Sequence, residues 1–494
     1  MQDTPENSLR NVPFAVTRPD RIPVQRYYDE DFFKLEEEHV WGHAWQMACR
    51  AEVIPEAGDW IEYTNLGKSV LVINNGESIK AYHNACRHRG VPLAGGIGAE
   101  CGHAAFGNCS RQGLVCPFHG WRWNMHGENT YVYGEHLFAG DQLDPDELKL
   151  VECRSEAWGG CIWINHDDNA PSVREALGPI AERLEAHKID KLRAEWHYGT
   201  VLPANWKVAM EAFMEGYHVR TTHPQLHEVL HGLYSDMYSP RESAQAGSTE
   251  DNMRKAALDG TTTRQAIDGQ IEHMKVLNEG MAGMIQLKEI AVMEELRDMP
   301  LPDDPNAAVP VWYAQVMAGI TSKLRAAGEP IPDLLEVAQT APIRAVEFLF
   351  PHYFLLPIFT SMASYRIRPL GPESCFFEIW SLTMFPEGEE PEPVMAPVIL
   401  PYDSAEFPPI PRQDYSNIPI QQRGLHAKGF EYMRLAAEVE GLISNYQRLI
   451  DGYIAGRPKD ELAAAQHYLG GNFDSVIHDI WAKPQPAPAA PEMA

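Results

Sequence analysis

Two cysteines and two histidines of this 494-residue chain stand in short pairs whose spacing suits metal binding. Cys86 and His88 enclose one residue in NACRHRG, and Cys116 and His119 enclose two in VCPFHGW. Thiolate sulfur binds iron–sulfur clusters or zinc, and imidazole can replace thiolate on one iron of a two-iron cluster. The two pairs therefore predict either a [2Fe–2S] centre or a structural zinc site.

The residues around both pairs resemble the Rieske cluster motif, in which each pair supplies one sulfur and one nitrogen. The flanking segments Arg89-Gly90, Pro117 and Gly120-Trp121 match that motif and have no special value for a zinc finger. We therefore predict that the [2Fe–2S] ligands are Cys86, His88, Cys116 and His119.

The 27 residues between the two pairs make a longer loop than is usual in the Rieske motif, and they contain a competing C-x-H pair. The HRG context favours Cys86 and His88 as ligands, and a swap to the competing pair stays an alternative. We interpret the three metal-binding residue types in this loop as unliganded: Cys101, His103 and Cys109.

A second group of candidate ligands lies in ANWKVAMEAFMEGYHVRTTHPQL. On one continuous helix Glu211, Glu215 and His218 would share a face, since offsets of three and four return to the same side. His223 follows five positions after His218, about 140° out of alignment. Both imidazoles can reach one metal only if the helix distorts or ends, and Pro224 favours that outcome because it biases His223 away from helical angles.

The pattern NWK followed by EGYHxxxxH resembles the mononuclear iron segment of the Rieske ring-hydroxylating oxygenases, large (alpha) subunit. This resemblance implies that His218 and His223 bind Fe(II) and that a distant carboxylate completes the facial triad. The segment RQDYSN is similar to the third-ligand segment of the family, so we predict Asp414 ahead of a long C-terminal helix, with Asn417 as a polar neighbour. An ordinary turn aspartate is the alternative, and chemistry alone leaves several other acids open: Asp403, Glu406, Glu431, Glu438 and Asp451.

The same resemblance implies a ring of three subunits in which the cluster of one chain serves the iron of the next. A carboxylate three residues before the first histidine bridges the two centres, and this position is Glu215. Most family members carry aspartate there, whereas glutamate is similar to members that attack quaternary ammonium substrates. Ala212 also replaces an asparagine that many dioxygenases have. Both departures weigh against ring dihydroxylation.

The resemblance implies a terminal oxygenase component that uses O₂ and NAD(P)H-derived electrons to hydroxylate or dihydroxylate an aromatic or other hydrophobic small molecule. Monooxygenation or oxidative N- or O-demethylation is the alternative, and an electron-transfer or zinc-stabilised binding protein is a remote one. The implied partners are a reductase, with or without a ferredoxin, in a homotrimer or an α3β3 assembly. Four arginines near the cluster ligands predict either a ferredoxin-docking patch or ordinary solvated surface: Arg87, Arg89, Arg111 and Arg122.

The elements that must position these residues predict an α+β chain. Residues 51–165 alternate in short runs separated by turns, which is typical of a small antiparallel β domain, here the Rieske domain. The resemblance implies a larger catalytic domain over 166–480, with a curved antiparallel sheet and helices, after an N-terminal helical segment over 1–50 that packs on it. We expect one helix within 27–50, a long helix over 420–455, and a disordered tail over 481–494.

Composition excludes several classes of function. The formal charge of −28 opposes binding to nucleic acid or to anionic membranes. The longest uncharged apolar run, 348–365, is interrupted by two prolines and predicts buried strands. Three phenylalanines of this run, together with Phe213, either line a substrate pocket or fill the core: Phe350, Phe354 and Phe359. Sparse cysteines and an N-terminus without a secretory signal pattern predict a cytoplasmic location.

Overall fold

The computed structural model describes residues 9, 11–94, 106–229, 258, 260–281, 283–472 and 475–481. Three predictions lie outside these residues: the roles of Cys101 and His103, and the disorder of 482–494. Within the described part of the chain, no helix is both long and apolar enough to cross a membrane.

The strands fall into two seven-stranded sheets and two small ones. In chain order they are β1 (Arg21–Pro23), β2 (Gln46–Arg50), β3 (Asp59–Asn65), β4 (Lys68–Asn74), β5 (Ile79–His83), β6 (Phe106–Asn108), β7 (Leu114–Val115), β8 (Arg122–Trp123), β9 (Asn129–Tyr131), β10 (Glu152–Trp158), β11 (Cys161–Asn165), β12 (Arg193–Leu202), β13 (Val346–Leu349), β14 (Tyr353–Pro357), β15 (Met362–Gly371), β16 (Ser374–Thr383), β17 (Val398–Ile399), β18 (Tyr432–Arg434) and β19 (Gly470–Gly471).

Most of the helices lie in the C-terminal two thirds of the chain. In chain order they are α1 (Glu30–Leu35), α2 (Pro145–Leu148), α3 (Val173–Leu177), α4 (Pro179–Ala186), α5 (Trp206–Glu211), α6 (Val219–Thr222), α7 (Pro224–Val229), α8 (Thr263–Met281), α9 (Leu287–Glu295), α10 (Pro305–Ala326), α11 (Leu334–Thr340), α12 (Pro409–Leu425), α13 (Gly441–Ile454) and α14 (Lys459–Gln466).

The first large sheet is antiparallel, in the order β2-β11-β10-β5-β4-β3-β6, and the three-stranded sheet β7-β8-β9 carries one of the cysteine–histidine pairs. The second large sheet has the order β17-β12-β16-β15-β14-β13-β19 and is antiparallel except at β12–β17. Its central strands are buried on both faces, because α5 packs against β15 and β16. The expected α+β architecture, with a small β domain and a larger sheet-and-helix domain, is confirmed.

Two predicted elements differ from the structure. Helix α1 and a π-helical turn cover only 30–40, and Gln46–Arg50 forms an edge strand of the first sheet because its side chains are all buried against β11 and β3. The long helix expected over 420–455 is two helices, α12 and α13, separated by β18. The short strand β18 pairs with β1, which ties the N-terminal segment to the catalytic half.

Buried charges join the two large sheets. Arg366 on β15 makes a two-pronged ion pair with Glu378 on β16, with both N–O distances 2.7 Å. The same guanidinium donates to the main-chain carbonyls of Met47 and Ala48 on β2, and Arg368 donates to the carbonyl of Thr64 on β3. The second large sheet thus holds the first through backbone acceptors on β2 and β3.

Candidate metal centres

The two cysteine–histidine pairs lie in two loops that share the same pattern of main-chain hydrogen bonds. The Cys86 N–H donates to the carbonyl of Val91, and the Gly90 N–H donates back to the carbonyl of Cys86. Cys116 repeats both bonds with Trp121 and Gly120. Gly90 and Gly120 have φ of 77° and 72°, which glycine adopts without strain. Each loop is therefore closed by its own backbone and presents its side chains at the tip.

In this site the two histidine nitrogens lie next to each other, and so do the two cysteine sulfurs. The two Nδ1 atoms of His88 and His119 lie 3.2 Å apart, and the thiols of Cys86 and Cys116 contact each other. Among the described residues, these four contribute no set of three donor atoms all within 4.8 Å of one another. A tetrahedral zinc would draw all four donors to about 3.5 Å of one another. Separate sulfur and nitrogen pairs instead fit two irons, one held by thiolates and one by imidazoles.

The sulfur side of this arrangement is buried and the imidazole side reaches the surface. Both cysteines are buried, whereas His88 and His119 are half-buried. The His88 ring stacks on Trp121 with centroids 4.7 Å apart, and Phe118 lies exposed against His119. The imidazoles are therefore the part of this arrangement that lies nearest to solvent.

The four arginines near this site are all exposed. Arg89 lies over the ring of Phe118 and Arg122 over that of Tyr131, while Arg87 donates to the carbonyl of Glu147. Cys109 is buried in the core beneath β3, with its N–H bonded to the carbonyl of Gly58. These contacts leave the arginine charges at the surface.

The second site lies at the break between α5 and α6 and at the C-terminal end of α6. Helix α5 ends at Glu211, and α6 begins only after His218. His223 ends α6 with φ −121° and ψ 63°, so the backbone leaves the helix before Pro224. The prediction that the helix must end for both imidazoles to meet is confirmed. Their ring centroids lie 5.2 Å apart.

Three donor atoms converge at this break. The Nε2 of His223 lies 3.0 Å from Oδ1 of Asp414, and the Nε2 of His218 lies 3.7 Å from the same oxygen. The three residues form one of the groups whose ligand atoms all lie within 4.8 Å of one another. Two imidazoles and one carboxylate match the facial triad of non-haem Fe(II) oxygenases, which leaves coordination positions open. The donor set therefore fits iron.

Each imidazole is oriented by a second polar group on its far nitrogen. The Nδ1 of His218 lies 2.6 Å from Oε1 of Glu215, and the Nδ1 of His223 lies 2.7 Å from Oε1 of Gln413. Because both acceptors need a proton on Nδ1, the Nε2 lone pairs point towards Asp414. Gln225 also donates to Gln413 at 2.8 Å. Sequence reasoning missed Gln413, although it is the direct neighbour of Asp414.

Acidic neighbours raise the pKa of His218. Burial alone would lower the pKa of His218, but the hydrogen bond to Glu215 and the charges of Glu215 and Asp414 together raise it. His218 keeps 26% of its side-chain surface exposed and Glu215 keeps 12%, whereas His223 and Asp414 keep 3% and 5%. The site is therefore open on the His218–Glu215 side and closed on the other.

Two sequence-based expectations about this site are wrong. Glu211 does not share a face with Glu215 and His218, because the helix ends at Glu211. Its carboxylate instead accepts hydrogen bonds from Tyr27, 2.9 Å away, and from Gln447. Asp414 lies within α12 and not ahead of a helix, and the N-cap of α12 is Pro408, so Asp414 is no capping residue.

The other acidic candidates are placed elsewhere. Asp451 is buried in an ion pair with Arg26 and also accepts from the Val16 N–H. Asn417 donates to Thr222 at 3.2 Å, on the segment between the two histidines. The remaining four acids are exposed: Asp403, Glu406, Glu431 and Glu438.

An aromatic cluster lies beside Asp414. Phe213 and Phe354 pack against Tyr365, with centroids 5.0 Å and 4.6 Å from it, and the charge of Asp414 acts on the Tyr365 hydroxyl. Phe350 packs instead on Tyr446 and Tyr453, and Phe359 faces Tyr313. Of the four predicted pocket phenylalanines, Phe213 and Phe354 are therefore near the triad.

Comparison with known families agrees with this arrangement. The Rieske [2Fe–2S] domain model matches residues 44–134, and the model for the catalytic domain of the ring hydroxylating alpha subunit matches residues 181–456. The second match covers more than half of the chain. The chain belongs to the ring-hydroxylating alpha subunit family. Its members combine a Rieske cluster with a mononuclear iron, and the donor sets described above fit both.

Relatives within the family include both monooxygenases and dioxygenases. The carnitine monooxygenase oxygenase subunit of Escherichia coli (strain K12) is 30% identical over 223 residues, 44% of this chain and 55% of the relative. The large oxygenase component of the naphthalene 1,2-dioxygenase system of Pseudomonas aeruginosa is 32% identical over 202 residues, 40% of this chain and 42% of the relative. The chain thus matches about half the length of these curated relatives.

Solved structures of the family share the fold. The quaternary ammonium Rieske monooxygenase CntA in complex with L-carnitine has a TM-score of 0.54 at 16% identity, covering 92% of this chain and 99% of that one. A naphthalene 1,2-dioxygenase variant bound to phenanthrene has a TM-score of 0.58 at 19% identity, covering 90% and 94%. The similarity in fold to each of these two structures therefore extends over nearly the whole of this chain.

Proposed function

We propose that this chain is the terminal oxygenase component of a Rieske oxygenase, which uses O₂ and NAD(P)H-derived electrons to hydroxylate an aromatic or other hydrophobic small molecule. The observation that carries the proposal is the convergence of His218, His223 and Asp414 in a chain that also presents paired thiols and paired imidazoles. When bound, the cluster supplies single electrons and the Fe(II) supplies open positions for O₂ activation.

The chain's own residues prepare this chemistry. Glu215 and Gln413 hold the protons on Nδ1 of His218 and His223, so both Nε2 atoms are kept as metal ligands. Helix α12 fixes Asp414 opposite them, and the aromatic cluster beside Asp414 keeps that side of the site apolar. An apolar wall with a few polar groups suits a hydrophobic substrate.

Glu215 is proposed as the bridge for electron transfer between subunits. Its two oxygens accept from the Nδ1 and the main-chain N–H of His218, and each oxygen keeps a lone pair for a further donor. Glu215 lies on the open side of the triad, and His119 lies at the surface of the Rieske domain. An imidazole N–H of His119 from a second copy can therefore bond to Glu215.

The partners follow from this route. We propose a reductase, with or without a ferredoxin, that docks near the exposed arginines around the cluster, and a homotrimer or α3β3 assembly that brings one cluster to the next iron. We also propose a cytoplasmic location, because the described cysteines are free thiols and the electron donor is NAD(P)H.

A second candidate reaction is monooxygenation or oxidative N- or O-dealkylation by the same machinery. Glutamate at 215, in place of the aspartate of most members, favours it. Similar proteins include carnitine and glycine betaine monooxygenase oxygenase subunits, the latter 29% identical over 224 residues in Pseudomonas aeruginosa (strain UCBPP-PA14). The aromatic cluster accommodates either case, since aromatic faces attract quaternary ammonium groups as well as rings.

Metal analysis of Asp414→Asn tests the proposed function. We expect the wild-type chain to contain two cluster irons and one further iron, and the variant to lose the further iron and the O₂-dependent turnover. The g ≈ 1.9 signal of the reduced cluster should persist in the variant. Glu406→Gln, an exposed acid ahead of the same helix, should match wild type. A wild-type chain without the third iron, or with zinc in place of the cluster, would support the electron-transfer or zinc-binding alternative.

Product analysis with ¹⁸O₂ separates the two reactions. Panels of aromatic hydrocarbons and of trimethylammonium acids would be offered with a reductase and NADH. Two labelled oxygens in one diol indicate dihydroxylation, whereas one labelled oxygen with loss of an alkyl group indicates dealkylation.

A further inference from the structure

A third group of metal-binding residue types lies in the Rieske domain, on and beside β5, β10 and β11. His83 ends β5, Cys153 lies on β10, and His166 follows directly after β11. One ligand atom of each lies within 4.8 Å of the other two. The cluster and the facial triad use none of these three side chains.

Strand pairing holds the three residues in place. Cys153 pairs with Ala81 on β5, and the His83 N–H donates to the carbonyl of Val151 at 2.9 Å. Residues 154–158 of β10 pair with the whole of β11, from Arg154 opposite Asn165 to Trp158 opposite Cys161. His166 directly follows Asn165 and so lies beside Cys153, which directly precedes Arg154. The donor positions are therefore set by hydrogen-bonded strands, and a ligand needs no loop to be ordered first.

The distances suit one small divalent cation. Sγ of Cys153 lies 3.8 Å from Nδ1 of His166, close to the roughly 3.5 Å between sulfur and nitrogen ligands of tetrahedral zinc. The rings of His83 and His166 are stacked, with their centroids 5.6 Å apart, and one nitrogen of each lies within 4.8 Å of the other and of the Cys153 sulfur. One thiolate and two imidazoles form a donor set that zinc prefers over magnesium or calcium.

Nearby charges act in both directions. The exposed carboxylate of Asp168 acts on His83 and Cys153, whereas the exposed amine of Lys68 acts on both imidazoles. Burial lowers the pKa of His166 to about 4, so its imidazole is neutral at neutral pH, which is the ligand form. Burial raises the pKa of the Cys153 thiol to about 12, and that thiol now contacts the carbonyl of Asn165.

We propose that His83, Cys153 and His166 bind Zn²⁺ as a structural site of the Rieske domain, with Asp168 or water as the fourth ligand. On binding, the thiol loses its proton to solvent and a Zn–S bond forms, with no change of oxidation state. The ion would tie the ends of β5 and β11 to β10. This site is independent of the oxygenase reaction.

The test uses the full-length holoenzyme, equilibrated with Zn²⁺ by dialysis, and X-ray absorption at the zinc edge. We expect one tightly held zinc with a single sulfur ligand at about 2.3 Å and at least two nitrogens. The sulfur count identifies the site, because zinc in the cluster loops would have two sulfurs and zinc at the facial triad would have none. Either of those counts, or no retained zinc, would overturn the proposal.

Two variants complete the test. His166→Gln and Cys153→Ser should each weaken zinc retention at least about tenfold, while the visible spectrum of the Rieske cluster shows that the domain is folded. His136→Gln, an exposed histidine of the same domain, should retain zinc like wild type. Unchanged zinc retention in both ligand variants would contradict the assignment.

Discussion

At the scale of single residues, the two imidazoles of the proposed iron site are oriented by neighbours outside the triad. Gln413 accepts from His223 at 2.7 Å and is itself held by Gln225. Outer contacts of this kind typically change metal affinity by roughly 10- to 100-fold. Gln413 is therefore a positioning residue of the triad.

Replacing Gln413 should loosen the iron without affecting the cluster. In Gln413→Ala the His223 ring loses the acceptor for its Nδ1 proton, so we expect iron retention against a chelator to fall about tenfold or more. The measurement is iron release followed over time, with the cluster spectrum as internal reference. Gln421→Ala, an exposed glutamine of the same helix, serves as the control. Equal release from both variants would remove the positioning role.

Glu211 gives a pH-dependent stability effect. Its pKa is raised to about 7 by burial, against the hydrogen bonds from Gln447 and Tyr27, which lower it. The folded state then holds a proton that the unfolded state, with a carboxyl pKa near 4.5, releases. The stability contributed by this group is therefore present below pH 4.5 and is lost as pH rises to about 7.

Glu211→Gln, which mimics the protonated acid, should remove this dependence. Relative to wild type, the variant should gain up to about 3 kcal/mol between pH 4.5 and 7 and no more above pH 7. Thermal midpoints of both proteins at half-unit pH intervals measure the effect. A constant difference between them across that range would show that Glu211 titrates normally.

At the scale of elements, β15 and β16 carry the ion pair that joins the two domains. Burial alone would raise the pKa of Glu378, but Arg366, Arg368 and the hydrogen bond from His197 hold it well below its ordinary value. Glu378 is fully buried, so it depends on these partners. Removing one partner of a buried pair typically costs about 3–5 kcal/mol.

Arg366→Met should therefore destabilise the contact between the domains. We expect a lower thermal midpoint and faster proteolysis between the Rieske and catalytic domains, because Glu378 loses its two-pronged partner and two carbonyls on β2 lose their donor. Hydrogen exchange of β2 is the direct readout. Arg344→Met, at an exposed arginine of the same half, should behave as wild type. Protection of β2 equal to wild type would mean that other contacts hold the domains.

The sequence predicted the cluster loops and the histidines of the iron site because their signals are local. Cys86 and His88, or Cys116 and His119, lie in one turn, so spacing alone reports their proximity. Gln413 could not be found in this way, since its contact with His223 spans 190 positions. The helix breaks after Glu211 and within 426–440 were missed because hydrophobic periodicity continues across them, although tertiary contacts end the helices.

At the scale of the whole molecule, the proposed electron route runs from the half-buried imidazoles of one chain's cluster site to the open side of the iron site in a second copy. Transfer between subunits can be tested with two inactive variants, His119→Ala, which lacks a cluster ligand, and Asp414→Asn, which lacks an iron ligand. Neither should turn over substrate alone.

Co-expressed in equal amounts, the two variants should regain about a quarter of the wild-type rate. With random assembly, about one interface in four joins a chain with an intact cluster to a neighbouring chain with an intact iron site. The unselected co-expressed sample would be assayed for this rate. Mixed trimers purified with two different affinity tags have one productive interface in three, so they should reach about a third of the wild-type rate, and their mass would be measured on the same sample. Mixed oligomers without activity would show that each chain supplies electrons to its own iron.

The hydrogen bonds from Arg366 and Arg368 to the β domain bear on the design of chimeric proteins. Arg366 and Arg368 grip carbonyl oxygens of residues 47, 48 and 64, and a carbonyl is present whatever side chain those positions carry. These backbone contacts do not depend on the side chains of the Rieske half, whereas the contacts of both guanidinium groups with the ring of Tyr63 do. A chimera that joins another Rieske domain to this catalytic sheet would keep the carbonyl acceptors of both arginines, and an aromatic residue at position 63 would keep their ring contacts.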